Sequence, residues 1–192
     1  MSSRCPWAET SLMMQEYHDK EWGIVHTDDT YLFEMLTLEG AQAGLSWQII
    51  LNKRQAYRDA FHHFDVAACA RLTDQEIEEI RLNHSVVKHK LKLYSVRSNA
   101  QSFQNIQREF GSFSTYIWSF SPPIKNNWQS STEVPSQTAL SSIISKDLKQ
   151  RGFKFIGPII VYSFMQAIGM VNDHLLTCDF RNHVLSTERK NK

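Results

Sequence analysis

The chain has 192 residues, a formal net charge of +1, 42% hydrophobic and 21% charged residues, an ordinary globular composition that excludes a wholly disordered chain or a fibrous repeat. The longest apolar run, 156–171, is broken by Gly157, Pro158, Ser163, Gln166 and Gly169 and falls short of the roughly 20 residues a membrane crossing needs. Cys5, Cys69 and Cys178 are too few for a disulfide framework, and the first residues lack the apolar core of a secretory signal, so a reduced, cytoplasmic protein is expected.

Apolar residues recur at helical period through most of the chain, which predicts an all-α fold. Thr27-Asp28-Asp29 offers N-caps to a helix with Leu32, Met35, Leu36 and Ala43 on one stripe. Trp47, Ile50, Leu51 and Tyr57 extend a similar pattern to Phe61. Thr73 and Glu76 form a capping box that opens a helix through Ile77, Ile80 and Arg81. Residues 88–110 read as a long amphipathic helix with Leu91, Tyr94, Ala100, Phe103 and Ile106 inward. The stretch 121–135 is loop-like, with adjacent prolines and no strand alternation.

Residues 139–150 then form a helix ending at Gly152, and Gly157-Pro158 restarts one that runs to about Val171. The pattern is helix, short hairpin, helix, and free N–H groups near Gly157 beside Lys154 suit an anion. A plain αα-hairpin that touches no ligand fits the same residues. Residues 1–180 are expected to form one domain, with room for two helical lobes and a cleft, followed by a polar, disordered tail at 181–192. No coiled-coil pattern is evident, which favours a monomer.

Charge is unevenly spread. No acid occurs from Ile80 to Arg108, while Arg81, Lys88, Lys90, Lys92, Arg97 and Arg108 do; Lys146, Lys149, Arg151 and Lys154 make a second basic cluster. Such bias suits a polyanion, although a solvated basic helix face accounts for it equally.

Glu39 falls on the apolar stripe of its helix. A carboxylate turned toward a core is costly unless it is paired or reaches a cavity. Pairing with Arg54, or an early helix end, would explain it; so would a pocket floor among Trp7, Tyr17, Trp22 and Trp47. His174 and Cys178, four apart, project to one face of a helical turn, and Cys5 with His18 forms a second pair. Together they would complete a closed tetrahedral metal shell, though the spacing is not that of a zinc finger, and buried thiols with ordinary histidines remain the alternative. Cys69, in an Ala-rich stretch, reads as core.

The segments Tyr17-His18-Asp19, Glu21-Trp22-Gly23, Leu32-Phe33-Glu34 and Leu38 to Trp47 resemble the DNA-3-methyladenine glycosylase I family. The likeness continues at Lys53-Arg54, Ala60-Phe61, Asn99-Ala100, Trp118-Ser119-Phe120, Lys149, Arg151 to Gly157, Tyr162 to Ala167 and Val171 to His174, spanning about residues 4–178. The resemblance implies a helix-hairpin-helix glycosylase architecture that binds duplex DNA and flips an alkylated base. It implies structural zinc on Cys5, His18, His174 and Cys178, with Glu39, Tyr17 and Trp47 as base-pocket residues and Trp7 and Trp22 as further aromatics. Gly44 and Leu45 match the part that fills the gap left by the flipped base, and Gly152, Lys154 and Gly157 belong to the hairpin that holds a phosphate. Two departures stand out. Ile24-Val25 replaces the family's Val-Pro, and Ser85-Val86-Val87-Lys88 replaces Gly-Ile-Ile-Arg, which costs a bidentate phosphate contact.

The activity so implied is hydrolytic release of 3-methyladenine, with 3-methylguanine as a second base, leaving an abasic site. The family's relatives carry an aspartate after the hairpin; Asp173 stands near that place, but its neighbour His174 suggests a structural role. Two other classes fit parts of the pattern: a non-catalytic DNA-binding module, and a zinc hydrolase, for which four protein ligands leave no open position.

Overall fold

The computed structural model describes residues 3–185, and among these nine α-helices dominate. They are α1 (Leu12–Lys20), α2 (Asp29–Gln42), α3 (Trp47–Ala60), α4 (Val66–Ala70), α5 (Asp74–Asn83), α6 (Lys90–Phe110), α7 (Phe113–Trp118), α8 (Ala139–Gln150) and α9 (Pro158–Ala167). Most begin where a short polar side chain accepts an otherwise orphaned N–H. Ser11, Asp28, Ser46, Asp65 and Ser112 do so singly, while Thr73–Glu76 and Thr138–Ser141 form capping boxes. Each cap contributes about 1 kcal/mol. No described helix is long and apolar enough to cross a membrane.

The centre of the molecule is α2. Every residue from Leu32 to Ala41 is buried, because α3, α6, α7 and α9 all pack around it. A helix enclosed on all sides carries even its polar residues inward, and Glu34 and Glu39 enter the interior this way.

Several boundaries differ from the sequence-based expectation. The long helix begins at Lys90, capped by His89, and Leu91 is 66% exposed, while Leu93 and Val96 take the inward positions. At 3.6 residues per turn Leu91 lies two and a half turns before Ala100, on the opposite face of the helix, so the two cannot share one inward stripe. The last helix ends at Ala167 rather than near Val171. The cause is Gly169 at φ +76, where a Cβ would lie 2.2 Å from the Ile24 carbonyl carbon. Gly169→Ala would meet both that clash and left-handed backbone strain. A loss of about 3 kcal/mol in denaturant unfolding is expected, and an unchanged midpoint would contradict this packing.

The loop-like stretch holds a two-residue strand, β1 (Ile124–Lys125), parallel to β2 (Val171–Asn172), with Ile124 opposite Val171. Cooperation with a distant segment, not local alternation, makes it a strand. A 3-10 turn follows at Ser131–Glu133. Of the expected tail, residues 181–185 close the 3-10 helix Asp179–Leu185, and 186–192 lie outside the described residues. Cys69 is fully buried, as its surroundings in the sequence imply.

Candidate active site and metal cluster

A cavity of about 430 Å³ opens between α1, α2, α3, α9 and the 131–136 segment, and Trp7, Tyr17, Trp22, Glu39 and Trp47 all line it. The sequence-predicted acid and aromatics therefore converge, although they come from the 3-10 turn Pro6–Thr10, α1, the turn that follows it, α2 and α3. The Tyr17 and Trp47 rings touch at a 55° tilt with centroids 5.4 Å apart, and Trp7 meets Trp22 edge-on at 4.9 Å. Such aromatic packing fixes the ring orientations.

Glu39 is 3% exposed, and its Oε2 has no hydrogen-bond partner. The indole Nε1 of Trp47 is likewise buried and unpartnered. An unmet donor or acceptor in an interior costs about 1–3 kcal/mol, so two beside one cavity mark a place shaped for something else. Burial pushes the Glu39 carboxyl up to about 8.

Pairing with Arg54 does not explain Glu39. Arg54 donates instead to Glu21 at 2.8 and 2.9 Å and to Glu34 at 2.7 Å, and Arg58 joins Glu34 at 2.7 Å. This network saturates the cation and leaves Glu39 without one.

Asp173 also reaches the cavity wall, but its oxygens are occupied. Oδ1 accepts from Asn126 Nδ2 and Trp128 Nε1, each at 2.7 Å, and Oδ2 from Tyr162 at 2.6 Å and Gln166 at 2.8 Å. It ties the 121–137 loop to α9. Through that loop Val134, Pro135 and Ser136 close one side of the cavity, with Ser163 and Gln166 from α9. Sequence reading missed these residues; a polar, proline-bearing loop carries no local sign that it forms a wall.

Behind the aromatics lie Cys5, His18, His174 and Cys178, all buried, with one donor atom of each within 4.8 Å of the others. Cys178 Sγ stands 3.5 Å from His18 Nε2 and 3.3 Å from His174 Nδ1, and Cys5 Sγ stands 3.9 Å from His174 Nδ1. A tetrahedral ion with ordinary Zn–S and Zn–N lengths sets sulfur–nitrogen edges of about 3.6 Å. The donor set therefore fits such an ion. The far ring nitrogens are held too: His18 Nδ1 by Asp19 at 2.8 Å and His174 Nε2 by the Trp22 carbonyl at 3.0 Å, the outer contacts that orient metal-binding imidazoles. The Cys5 hydrogen bond, and then the two imidazoles, pull the Cys178 thiol far below the usual thiol range. Trp22 packs edge-on against His174 at 4.7 Å, so the cluster supports the cavity wall directly.

The charged segments sort differently from their sequence order. In the acid-free stretch the cations find internal partners: Arg81 and Lys90 reach Glu78, Arg97 reaches Asp74 and Leu72 O, Arg108 reaches Asn105, Lys88 the Leu82 carbonyl and Lys92 the end of α2. Of the second cluster Arg151 binds Asp147 and Glu109, whereas Lys146, Lys149 and Lys154 make no ion pair with other described residues. Lys154 is exposed in the turn between α8 and α9, and no side chain caps the start of α9 at Gly157. Gly44 (φ +83), Leu45 and Gly152 (φ +94) are exposed as well.

A family model described as methyladenine glycosylase matches residues 7–182. The chain is 43% identical to a DNA-3-methyladenine glycosylase of Haemophilus influenzae over 180 residues, 93% of this chain and 97% of that one. It is 41% identical to DNA-3-methyladenine glycosylase 1 of Escherichia coli over 177 residues, covering 91% and 95% respectively. A point variant of 3-methyladenine DNA glycosylase I, solved in complex with 3-methyladenine, superposes with TM-score 0.90 at 34% identity, covering 93% of this chain and 97% of that one. The cavity, its acid and its aromatics thus belong to a chain that matches these proteins nearly end to end, and the chain belongs to the methyladenine glycosylase family.

Proposed function

We propose that this enzyme releases 3-methyladenine, and as a second substrate 3-methylguanine, from alkylated duplex DNA by hydrolysis, leaving an abasic site. The observation that carries the reading is the buried, unpartnered Glu39 carboxyl at the edge of an aromatic cavity large enough for a purine. Methylation at N3 makes the nucleobase cationic. The C1′–N9 bond then breaks with its electron pair moving to the base, which departs neutral, while water adds to C1′ and loses a proton. Little acid catalysis is needed, so extraction and capture of the base decide the rate.

Flipping costs a few kcal/mol. Stacking on aromatic faces returns about 1–3 kcal/mol per base, here from Tyr17 and Trp47, with Trp7 and Trp22 enclosing the site. Ionised Glu39 selects the cationic ring over neutral adenine and accepts from its exocyclic amine, and Trp47 Nε1 offers the complementary donor. Asp173, bound by four donors, organises the wall.

In this reading α8, the hairpin and α9 act as a helix-hairpin-helix element. Gly152 shapes the turn, while Lys154 through its free ammonium and Gly157 through the uncapped N–H groups at the start of α9 hold a phosphate. The exposed Gly44-Leu45 turn fills the space vacated in the duplex. Zinc is the proposed ion on Cys5, His18, His174 and Cys178; it supplies a structural cross-link between the chain's two ends. Four protein donors leave no position for activated water, so metal hydrolysis is not the chemistry. Incubating methylated duplex with the protein and identifying the released bases tests the reading. Free 3-methyladenine is the expected product; duplex binding with no base released would leave only a DNA-binding module.

A further inference from the structure

The inward face of α6 is interrupted at helical intervals by Lys92, Ser95, Asn99 and Ser102, the last three buried. Polar groups at core positions destabilise a helix packing unless each finds a partner, and the partners of Lys92 and Asn99 lie on segments outside α6. Lys92 Nζ donates to the Ala41 and Ala43 carbonyls at 2.9 and 3.0 Å, the last turn of α2, which leads directly into Gly44-Leu45. A cation in the first turn of α6 opposes that helix's own dipole but complements the C-terminal end of α2. Ser95 returns its hydroxyl to the Lys92 carbonyl at 2.7 Å.

One turn on, the Asn99 amide grips the hairpin backbone on both sides. Nδ2 donates to the Lys154 carbonyl at 3.1 Å, and Oδ1 accepts from the Lys154 N–H at 2.9 Å, as an adjacent strand would. Ser102 Oγ lies 3.0 Å from the place a Cβ on Gly152 would take. From the opposite side, Gly40 admits the Phe155 carbonyl so closely that a Cβ there would stand 3.2 Å from it. Gly40 is the residue after Glu39. Phe155 itself sits at φ +56, a strained conformation for a bulky residue that persists only where its surroundings over-determine it.

We propose that Lys92 and Asn99 are positioning residues that lock the Gly152–Gly157 hairpin and the Gly44-Leu45 turn at one fixed spacing from Glu39, so that duplex gripped by the hairpin delivers its base into the cavity. The inference rests on the glycosylase reading above. Neither side chain lies among those lining the cavity, so both act on the duplex and not on the base alone.

The test compares Asn99→Ala, Lys92→Met and Lys92→Arg with the parent protein. Affinity for free 3-methyladenine is followed by tryptophan fluorescence, affinity for duplex carrying an abasic-site analogue by titration, and base release from methylated duplex under single turnover. Asn99→Ala is expected to keep free-base affinity within twofold while losing at least tenfold in duplex affinity and in release. Lys92→Met should slow release severalfold with free-base affinity intact, and Lys92→Arg should restore it. If duplex affinity and release stay within twofold of the parent, or if free-base and duplex affinities fall together, the proposal is overturned. Should Asn99→Ala fail to fold, the half-buried Lys92 pair decides alone by the same readouts. Absence of base release by the parent itself would instead overturn the glycosylase reading.

Discussion

Glu39→Gln is expected to slow single-turnover release of 3-methyladenine by about 30- to 100-fold. The substitution keeps the shape of the side chain and removes its charge. A hydrogen bond to a charged partner exceeds its neutral counterpart by roughly 2 kcal/mol or more in a dry site, and each 1.36 kcal/mol is tenfold. The loss falls on the flipped population, because the carboxylate attracts the cationic base before the bond breaks. As the bond breaks, positive charge moves only to the adjoining sugar. Discrimination against neutral adenine should shrink with it.

The same residue sets a pH dependence. Burial holds the empty pocket's carboxyl near 8, so at neutral pH it carries a proton that an incoming cation must displace. The lesion in DNA is a fixed cation. Capture by the parent therefore strengthens as pH rises from 6 toward 8 and levels off above, whereas Glu39→Gln is flat. Stability runs the other way. The folded-state value is raised above the ordinary 4.5, so the folded protein holds a proton that the unfolded chain has lost. Stability is then greatest below about 4.5 and declines as pH rises to about 8. At pH 8 the Gln variant should be more stable than the parent, by roughly 2–4 kcal/mol. A variant with parental release rates and an unchanged melting curve would remove Glu39 from the account.

The second large effect concerns the metal. One zinc per chain is expected by elemental analysis. Its removal by a chelator should lower the melting temperature by more than about 10 °C, because structural zinc binding is coupled directly to folding free energy. Without the ion, two buried imidazoles and two thiols lose their common partner, and Trp22 loses the rigid His174 surface it packs on. Base release should fall only as the unfolded fraction grows. Protein free of metal with an unchanged melting temperature would contradict a structural role, and immediate loss of turnover in a still-folded protein would indicate a catalytic ion.

What the amino-acid order reveals here depends on whether the signal is local. The α8–hairpin–α9 unit is legible because Gly152 and Gly157-Pro158 punctuate it within a few residues. Glu39 is legible because a single acid breaks an apolar stripe. The four metal donors are suggested by residue type, although Cys5 and Cys178 lie at opposite ends of the chain, and only folding shows their atoms together. The acid-free stretch from Ile80 to Arg108 is only half legible for the complementary reason. Its cations read as a surface for a polyanion, but their acceptors, Glu78, Asp74 and several carbonyls, become visible only in three dimensions. Lys88, where the family's pattern has arginine, is one of these: it donates to the Leu82 carbonyl. The cavity wall at Val134 to Ser136 is illegible because Asp173, far along the chain, holds the loop that carries it.

The most direct check is a crystal structure of this protein soaked with 3-methyladenine. The purine is expected in the cavity against the faces of Tyr17 and Trp47, its edge toward the Glu39 carboxylate and the Trp47 indole nitrogen, satisfying both atoms that now lack partners. A ligand bound elsewhere, with that cavity left empty or closed by side chains, would contradict the account.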